Sequence, residues 1–171
     1  FAADDVFCNY VSEAARIVRR QFRERHVEKR YLALVEGTLT GIGTWTNYIT
    51  KSGRAPRVVS ADDPDGKRAV LSWQALAQDK GRTLLQIELQ TGRPHQIRLQ
   101  CAHRGHHVLG DVRHGSSVEI DGRNIALHHR LLRVEHPTSQ KVCSFVAPLP
   151  DLWDRVLTDP LRSAAERVLQ R

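Results

Sequence analysis

The strongest constraint on the fold is an alternation. Between residues 83 and 89, Leu85, Ile87 and Leu89 alternate with Gln86 and Glu88. Successive side chains of a strand point to opposite faces, so this segment reads as a strand with one buried and one wet face. An apolar run over 70–77 precedes it, with the turn-prone Asp79-Lys80-Gly81 between them. An antiparallel hairpin explains both runs together. Further strands are predicted over 31–35, where Glu36 and Gly37 end the run, and over 45–49. An interrupted pair is predicted over 125–129 and 131–135, and a last strand over 142–146 after the turn His136-Pro137-Thr138-Ser139.

Helices fall between these strands. Ser12 is placed to cap a helix whose apolar positions Ala14, Val18 and Phe22 recur every four residues, with Ile17 widening the stripe. Pro94 suits the first turn of a second helix, in which Ile97, Cys101 and Ala102 pack inward and which Gly105 ends. Shorter helices are predicted over 152–157 and 161–169. Residues 51–67 are rich in charge, Pro, Gly and Asp and lack a sustained hydrophobic period, as an exposed connection does. With 171 residues and 40% apolar content, the chain can close one core without disulfides. We therefore expect one domain over residues 1–171 of mixed α/β (α+β) class. The alternation of hairpins and helices argues against a helical bundle and, less strongly, against a regular parallel βαβ array.

Charge and cysteine content narrow the setting. Lys and Arg number 26 against 19 Asp and Glu, and the formal charge of +7 favours a polyanionic partner without identifying one. Arg16, Arg19, Arg20 and Arg23 crowd one side of the first helix, where they can meet phosphate or serve as an ordinary solvated exterior. Cys8, Cys101 and Cys143 form neither a CxxC pair nor an even-numbered framework, so structural thiols in a reducing cytoplasmic or organelle-matrix setting are expected. No apolar run approaches bilayer-crossing length, and no membrane partner is expected. A start at Phe1 instead of methionine is what a processed, trimmed or partial chain shows.

The most informative stretch is Gln90-Thr91-Gly92-Arg93-Pro94-His95-Gln96-Ile97-Arg98-Leu99. Gly92 permits a turn conformation that costs other residues more, and Pro94 pre-sets the backbone entering the helix. Arg93, His95, Gln96 and Arg98 then share a compact polar platform. Such groups can bind phosphate, orient a nucleobase or hold a carboxylate through forked hydrogen bonds, although a helix start alone also accounts for part of the pattern. His103, His106 and His107, with His128 and His129, invite a zinc reading, but there is neither an HExxH motif nor a thiolate pair, and no metal site is expected. Asp111 is a candidate for organising its own turn. Trp45, Trp73 and Trp153 can stack on bases, with core packing the expected role for at least two of them.

This stretch resembles the GRxHQIR motif of the RluA family of RNA pseudouridine synthases. Lys29-Arg30-Tyr31-Leu32-Ala33-Leu34-Val35-Glu36-Gly37 resembles a second family motif, and Gly110-Asp111 with Gly115 resembles its GDxxYG region, with His114 in place of the usual tyrosine. Leu127-His128, His136-Pro137-Thr138 and 145–150 look like the family's closing strands and terminal segment. The likeness runs over about residues 12–153. It implies a mixed α/β fold with a central, largely antiparallel sheet and an RNA-binding cleft, here N-terminally incomplete.

The implied chemistry converts uridine to pseudouridine: uracil leaves the ribose, rotates and rejoins through C5, with no redox step and no required cofactor or metal. Family members use an aspartate, a tyrosine near the base and a basic residue that orients the aspartate. By motif, Tyr31 and Arg98 match the catalytic tyrosine and the basic residue, and Arg93, His95 and Gln96 are substrate-binding candidates of the same motif. The aspartate belongs to an HRLDxxTSG segment that the pattern places before residue 1. Asp4 and Asp5 lack that setting. The expected partner is structured RNA, ribosomal or transfer, and the expected state is a monomer. A noncatalytic RNA-binding paralogue and a protein-assembly module are the alternatives.

Overall fold

The computed structural model describes residues 2–53, 55–122 and 124–168, with the backbone alone over residues 2–11. One antiparallel sheet of seven strands organises them. The strands are β1 (Glu28–Glu36), β2 (Ile42–Thr50), β3 (Arg57–Val59), β4 (Lys67–Asp79), β5 (Arg82–Leu89), β6 (Leu127–Glu135) and β7 (Val142–Val146), in the spatial order β3-β2-β4-β5-β1-β6-β7. The helices are α1 (Ala2–Glu24), α2 (Gln96–Ala102) and α3 (Asp159–Arg167), with 3-10 turns at Val112–His114 and Asp151–Arg155.

β1 carries a continuous apolar run because both of its faces are covered. Leu32, Ala33, Leu34 and Val35 are all fully buried. Ala33 and Val35 join Leu85, Ile87, Ile97, Cys101 and Val108 in the layer beneath α2. Leu32 and Leu34 join Leu84, Trp153, Leu161 and Ala165 in the layer beneath α3. The expected β4–β5 hairpin is present, with Trp73 opposite Ile87 and Asp79 opposite Arg82. Leu85 and Ile87 face α2, while Gln86 and Glu88 lie on the opposite face, toward solvent.

Five expectations change in detail. The first helix does not begin at Ser12: it runs from Ala2, because no Gly or Pro precedes Gly37 to interrupt it, and Ser12 sits exposed in its interior. It ends at Arg25, whose φ of 65° allows the His26 N–H to donate to the Gln21 carbonyl at 2.9 Å, a Schellman-type closure on a non-glycine residue. The connection 51–67 contains β3, paired with β2 from Thr50–Arg57 to Tyr48–Val59. The pair expected over 125–135 is one strand, β6, whose register against β1 shifts between Arg30 and Tyr31, so that a bulge absorbs the irregularity. The segment predicted as 152–157 is the 3-10 turn Asp151–Arg155, and the last helix starts at Asp159 with Pro160 in its first turn; Leu169 lies outside the described residues.

Gln21 ties α1 to the end of the sheet. The buried Gln21 donates from Nε2 to the Glu135 carbonyl at 2.9 Å and accepts the Glu135 N–H at 3.1 Å, imitating a strand partner at the end of β6. Cys101 is fully buried, and that burial pushes its thiol up to about 12, which suits a packing role; Cys143 is half-buried, and the Cys8 side chain lies outside the described ones. No helix among the described residues is long and apolar enough to cross a membrane.

Trp153 is 2% exposed in the layer under α3, whereas Phe145 on the edge strand β7 is 58% exposed. Trp153→Ala is expected to cost about 3–5 kcal/mol in urea unfolding through the cavity it leaves. Phe145→Ala is expected to stay within about 0.5 kcal/mol of the parent.

Candidate active site

The turn joining β5 to α2 is held by buried amides. Thr91 donates its hydroxyl to Gln96 Oε1 at 2.8 Å and accepts the Val70 N–H at 2.7 Å. The same Gln96 oxygen accepts the Arg93 N–H at 3.0 Å, and Gln96 Nε2 donates to the Val70 carbonyl at 3.0 Å. Gln96, expected among the substrate-binding residues, is buried, and its carboxamide makes these bonds within the turn. One turn later the buried Gln100 donates to the Trp45 carbonyl at 3.1 Å, anchoring α2 to β2.

This fixes Arg98. Its Nε and Nη2 each donate at 2.7 Å to the two oxygens of Asp111, whose side chain is 1% exposed. The forked pair is of the strongest charge-assisted kind and removes the carboxylate's desolvation penalty only while both partners remain. Asp111 also organises its own turn, its carbonyl accepting the His114 and Ser116 N–H groups at 2.9 and 3.0 Å. Glycine is obligatory beside it: Gly110 has φ +85°, and a Cβ there would lie 2.3 Å from the Asn124 carbonyl oxygen. Gly115 has φ +98°, with the His107 ring 2.7 Å from such a Cβ. Ser116 closes the loop with a 2.6 Å hydrogen bond to Glu36. Burial alone would raise the Glu36 carboxyl, but the hydrogen bonds from Ser116 and Ser117 hold it below its ordinary value.

His95 caps α2 in the left-handed region, with φ 54°. Its Nδ1 lies 3.1 Å from Nε2 of His114, so one ring donates to the other. Both imidazoles are held below their ordinary value first by burial; Arg98 pushes each further down, against the opposing pull of Asp111.

Tyr31 lies on the α2 side of β1, packed against the layer that contains Ile97. Across the strand pair its ring stacks on His129, with centroids 4.4 Å apart and planes 12° from parallel. Burial raises the Tyr31 phenol, so the hydroxyl stays protonated at neutral pH. The His129 imidazole is lowered first by burial, which gives the stack a neutral partner. Arg93 occupies the outer edge of the turn, its Nε donating to the Arg68 carbonyl at 3.1 Å.

A match to the family described as RNA pseudouridylate synthase spans residues 11–103 and so includes Tyr31, Arg93, His95, Gln96 and Arg98. The chain belongs to the RNA pseudouridylate synthase family. It is 35% identical over 158 residues to an uncharacterized RNA pseudouridine synthase of Chlorobaculum parvum, covering 81% of this chain and 48% of that protein. It is 32% identical over 159 residues to ribosomal large subunit pseudouridine synthase D of Vibrio cholerae, covering 85% and 48%. Human RNA pseudouridylate synthase domain containing 1 superposes with a TM-score of 0.68 at 25% identity, over 82% of this chain and 62% of that one. The chain thus spans about half the length of the curated relatives it matches. The RluA-type assignment and the synthase fold stand on these matches.

Within this synthase domain the fold brings together Tyr31's strand, the α2 start and the Asp111 turn. Three partnerships escaped the sequence: Arg98 with Asp111, His95 with His114, and Tyr31 with His129. The Gly110-Asp111 motif was the available signal for the first. Among the described residues, no three or more His, Cys, Asp or Glu side chains form a group able to hold a metal ion.

Arg98→Ala leaves Asp111 buried and unpaired, and a loss of about 3–5 kcal/mol in urea unfolding is expected. Replacing both, as Arg98→Met with Asp111→Leu, is expected to recover most of that stability. pH supplies a second check. His95, His114, His128 and His129 all have folded values lowered first by burial, so the unfolded chain takes up protons before the folded one. Their contribution is complete above the ordinary imidazole value of about 6.5 and is lost as pH falls through it toward the folded values. Melting temperatures should therefore decline from about pH 8 to about pH 5, and less steeply in His129→Phe, which keeps a stacking ring.

Proposed function

We propose that this chain forms the catalytic domain of an enzyme that isomerises uridine to pseudouridine in structured RNA, with its nucleophilic carboxylate carried on a segment upstream of residue 1. The N1–C1′ bond breaks, the base turns, C5 bonds to C1′, and the C5 proton leaves as N1 regains one; the reaction is a net isomerisation. The observation that carries the reading is the Arg98 guanidinium. Asp111 holds one edge of it rigidly, and the Nη1 edge remains to receive a second carboxylate in a fixed orientation. Tyr31 supports the same reading from the neighbouring strand, with a flat ring and a protonated hydroxyl. In this scheme Tyr31 and Arg98 are catalytic, Arg93 contacts RNA phosphate, and His95 positions the α2 start through His114. Ribosomal RNA is the substrate class we propose first, in line with the name of the Vibrio relative, and a reducing compartment is the setting we propose, in line with the free thiols of Cys101 and Cys143.

The test uses the full native chain and structured RNA, with nucleoside chromatography reporting pseudouridine. Conversion of a defined uridine is the expected result; binding without conversion would favour a noncatalytic RNA-binding paralogue. Transfer RNA converted in preference to ribosomal RNA would reassign the substrate class. Tyr31→Phe keeps the ring and removes the hydroxyl, and single-turnover conversion should fall by about a hundredfold or more with RNA affinity retained. Unchanged conversion would reject a polar role for Tyr31.

A further inference from the structure

Gly92 is a glycine that the fold does not require. Unlike Gly110 and Gly115, it is absent from the positive-φ residues, and a Cβ built on it meets nothing within 4 Å. The turn conformation expected to favour glycine at this position is therefore not what it adopts, and its surroundings are open. It is nonetheless, with Arg93, where two clefts meet. One, of about 660 Å³, carries Arg23, Arg25 and Lys29 in its wall, and the other, of about 590 Å³, carries Lys51 and Lys67; Gly92 and Arg93 belong to both. Among the described residues, the first has no acidic residue in its lining, and the second has Asp65. Arg93, pinned through Nε to the Arg68 carbonyl, leaves its terminal nitrogens at the divide.

We propose that one RNA strand crosses between the two clefts over Gly92, with its phosphates engaged on both sides and its backbone in close approach to the peptide at the crossing. The basic walls supply the sequence-independent attraction, and the missing side chain supplies the clearance. Lys29, in the wall of the first cleft, lies two residues from Tyr31 on β1, so the two point to the same sheet face. The crossing would bring the strand past Tyr31, with the second cleft holding the part that continues beyond it. This inference rests on the RNA reading above and adds where the strand runs.

The experiment measures binding of a fluorescein-labelled RNA hairpin with a uridine-rich loop by anisotropy, in the full chain, over a range of KCl concentrations. Four variants are compared: Gly92→Ala, Gly92→Leu, Arg25→Gln with Lys29→Gln, and Lys51→Gln with Lys67→Gln. Thermal melts report folding, and Gly92→Ala should melt at or slightly above the parent, because the fold accepts the Cβ and the unfolded chain loses freedom. Gly92→Leu should melt like the parent yet bind about tenfold or more weakly, through a clash met only by the bound strand. Each double Gln variant should lower the magnitude of the slope of log K against log[KCl] by about 1.4, near 0.7 for each phosphate of a single strand that is no longer neutralised. The two reductions should add when the variants are combined. Full-strength binding by folded Gly92→Leu, or an unchanged salt slope in the Lys51 and Lys67 variant, overturns the crossing while leaving the synthase reading intact. Failure of the parent chain to bind RNA overturns both.

Discussion

Burial of β1 on both faces is the constraint on which the rest of the structure depends. Four successive residues, Leu32 to Val35, have no exposed surface, and they alternate between the α3 layer and the α2 layer. A slip of one residue would exchange the two sets and send each to a layer built for the other. The parity that fixes the core also fixes the site: Tyr31 must share the α2 side with Ala33 and Val35. β5, paired with β1 along its length from Arg30–Glu88 to Glu36–Arg82, leads directly into the turn that starts α2. Tyr31 and the start of α2 are thus brought to one face of the sheet by strand pairing, without a long loop to place either.

Local patterns were legible and their partners were not. The alternation of Leu85, Ile87 and Leu89 with Gln86 and Glu88 needs only the pleat of one strand, and the β4–β5 hairpin needs only its turn. β6 reads as interrupted because Arg130 splits its apolar residues. In the fold Arg130 is buried within the strand, its guanidinium donating to the Ala147 carbonyl, and the bulge against β1 accommodates it. Ser12 has the chemistry of a cap, but a cap also requires that the chain before it leave the helix, which the Gly- and Pro-free sequence does not make it do. Gly92 and Gly110 look alike in the sequence, yet only Gly110 has a backbone and a neighbour that exclude every other residue.

The site residues divide along the same line. Arg98 was identifiable as a carboxylate holder, but the carboxylate it holds within this chain is Asp111, a pairing set by how α2 lies against the 108–116 loop. Gln96 was identifiable as a polar member of the motif, yet its amide faces Val70 and Arg93 because the turn has backbone groups that water cannot reach. A polar residue in a motif is as able to build the pocket as to line it, and only burial separates the two.

The charges that result are uneven in a way that bears on chemistry. Asp111 compensates Arg98, so the pair brings little net charge to the site, while Arg93 and Arg113 add positive charge nearby. The histidines could have added more. Burial, with Arg98 and Arg113, instead disfavours the charged forms of His95 and His114, leaving a ring-to-ring hydrogen bond that needs one neutral nitrogen to accept it. A tyrosine at position 114, as the family motif has it, would be neutral at the same pH; a histidine whose proton is driven off preserves that neutrality with a different ring. The substitution is therefore compatible with a site whose positive charge resides on arginine side chains and not on imidazoles.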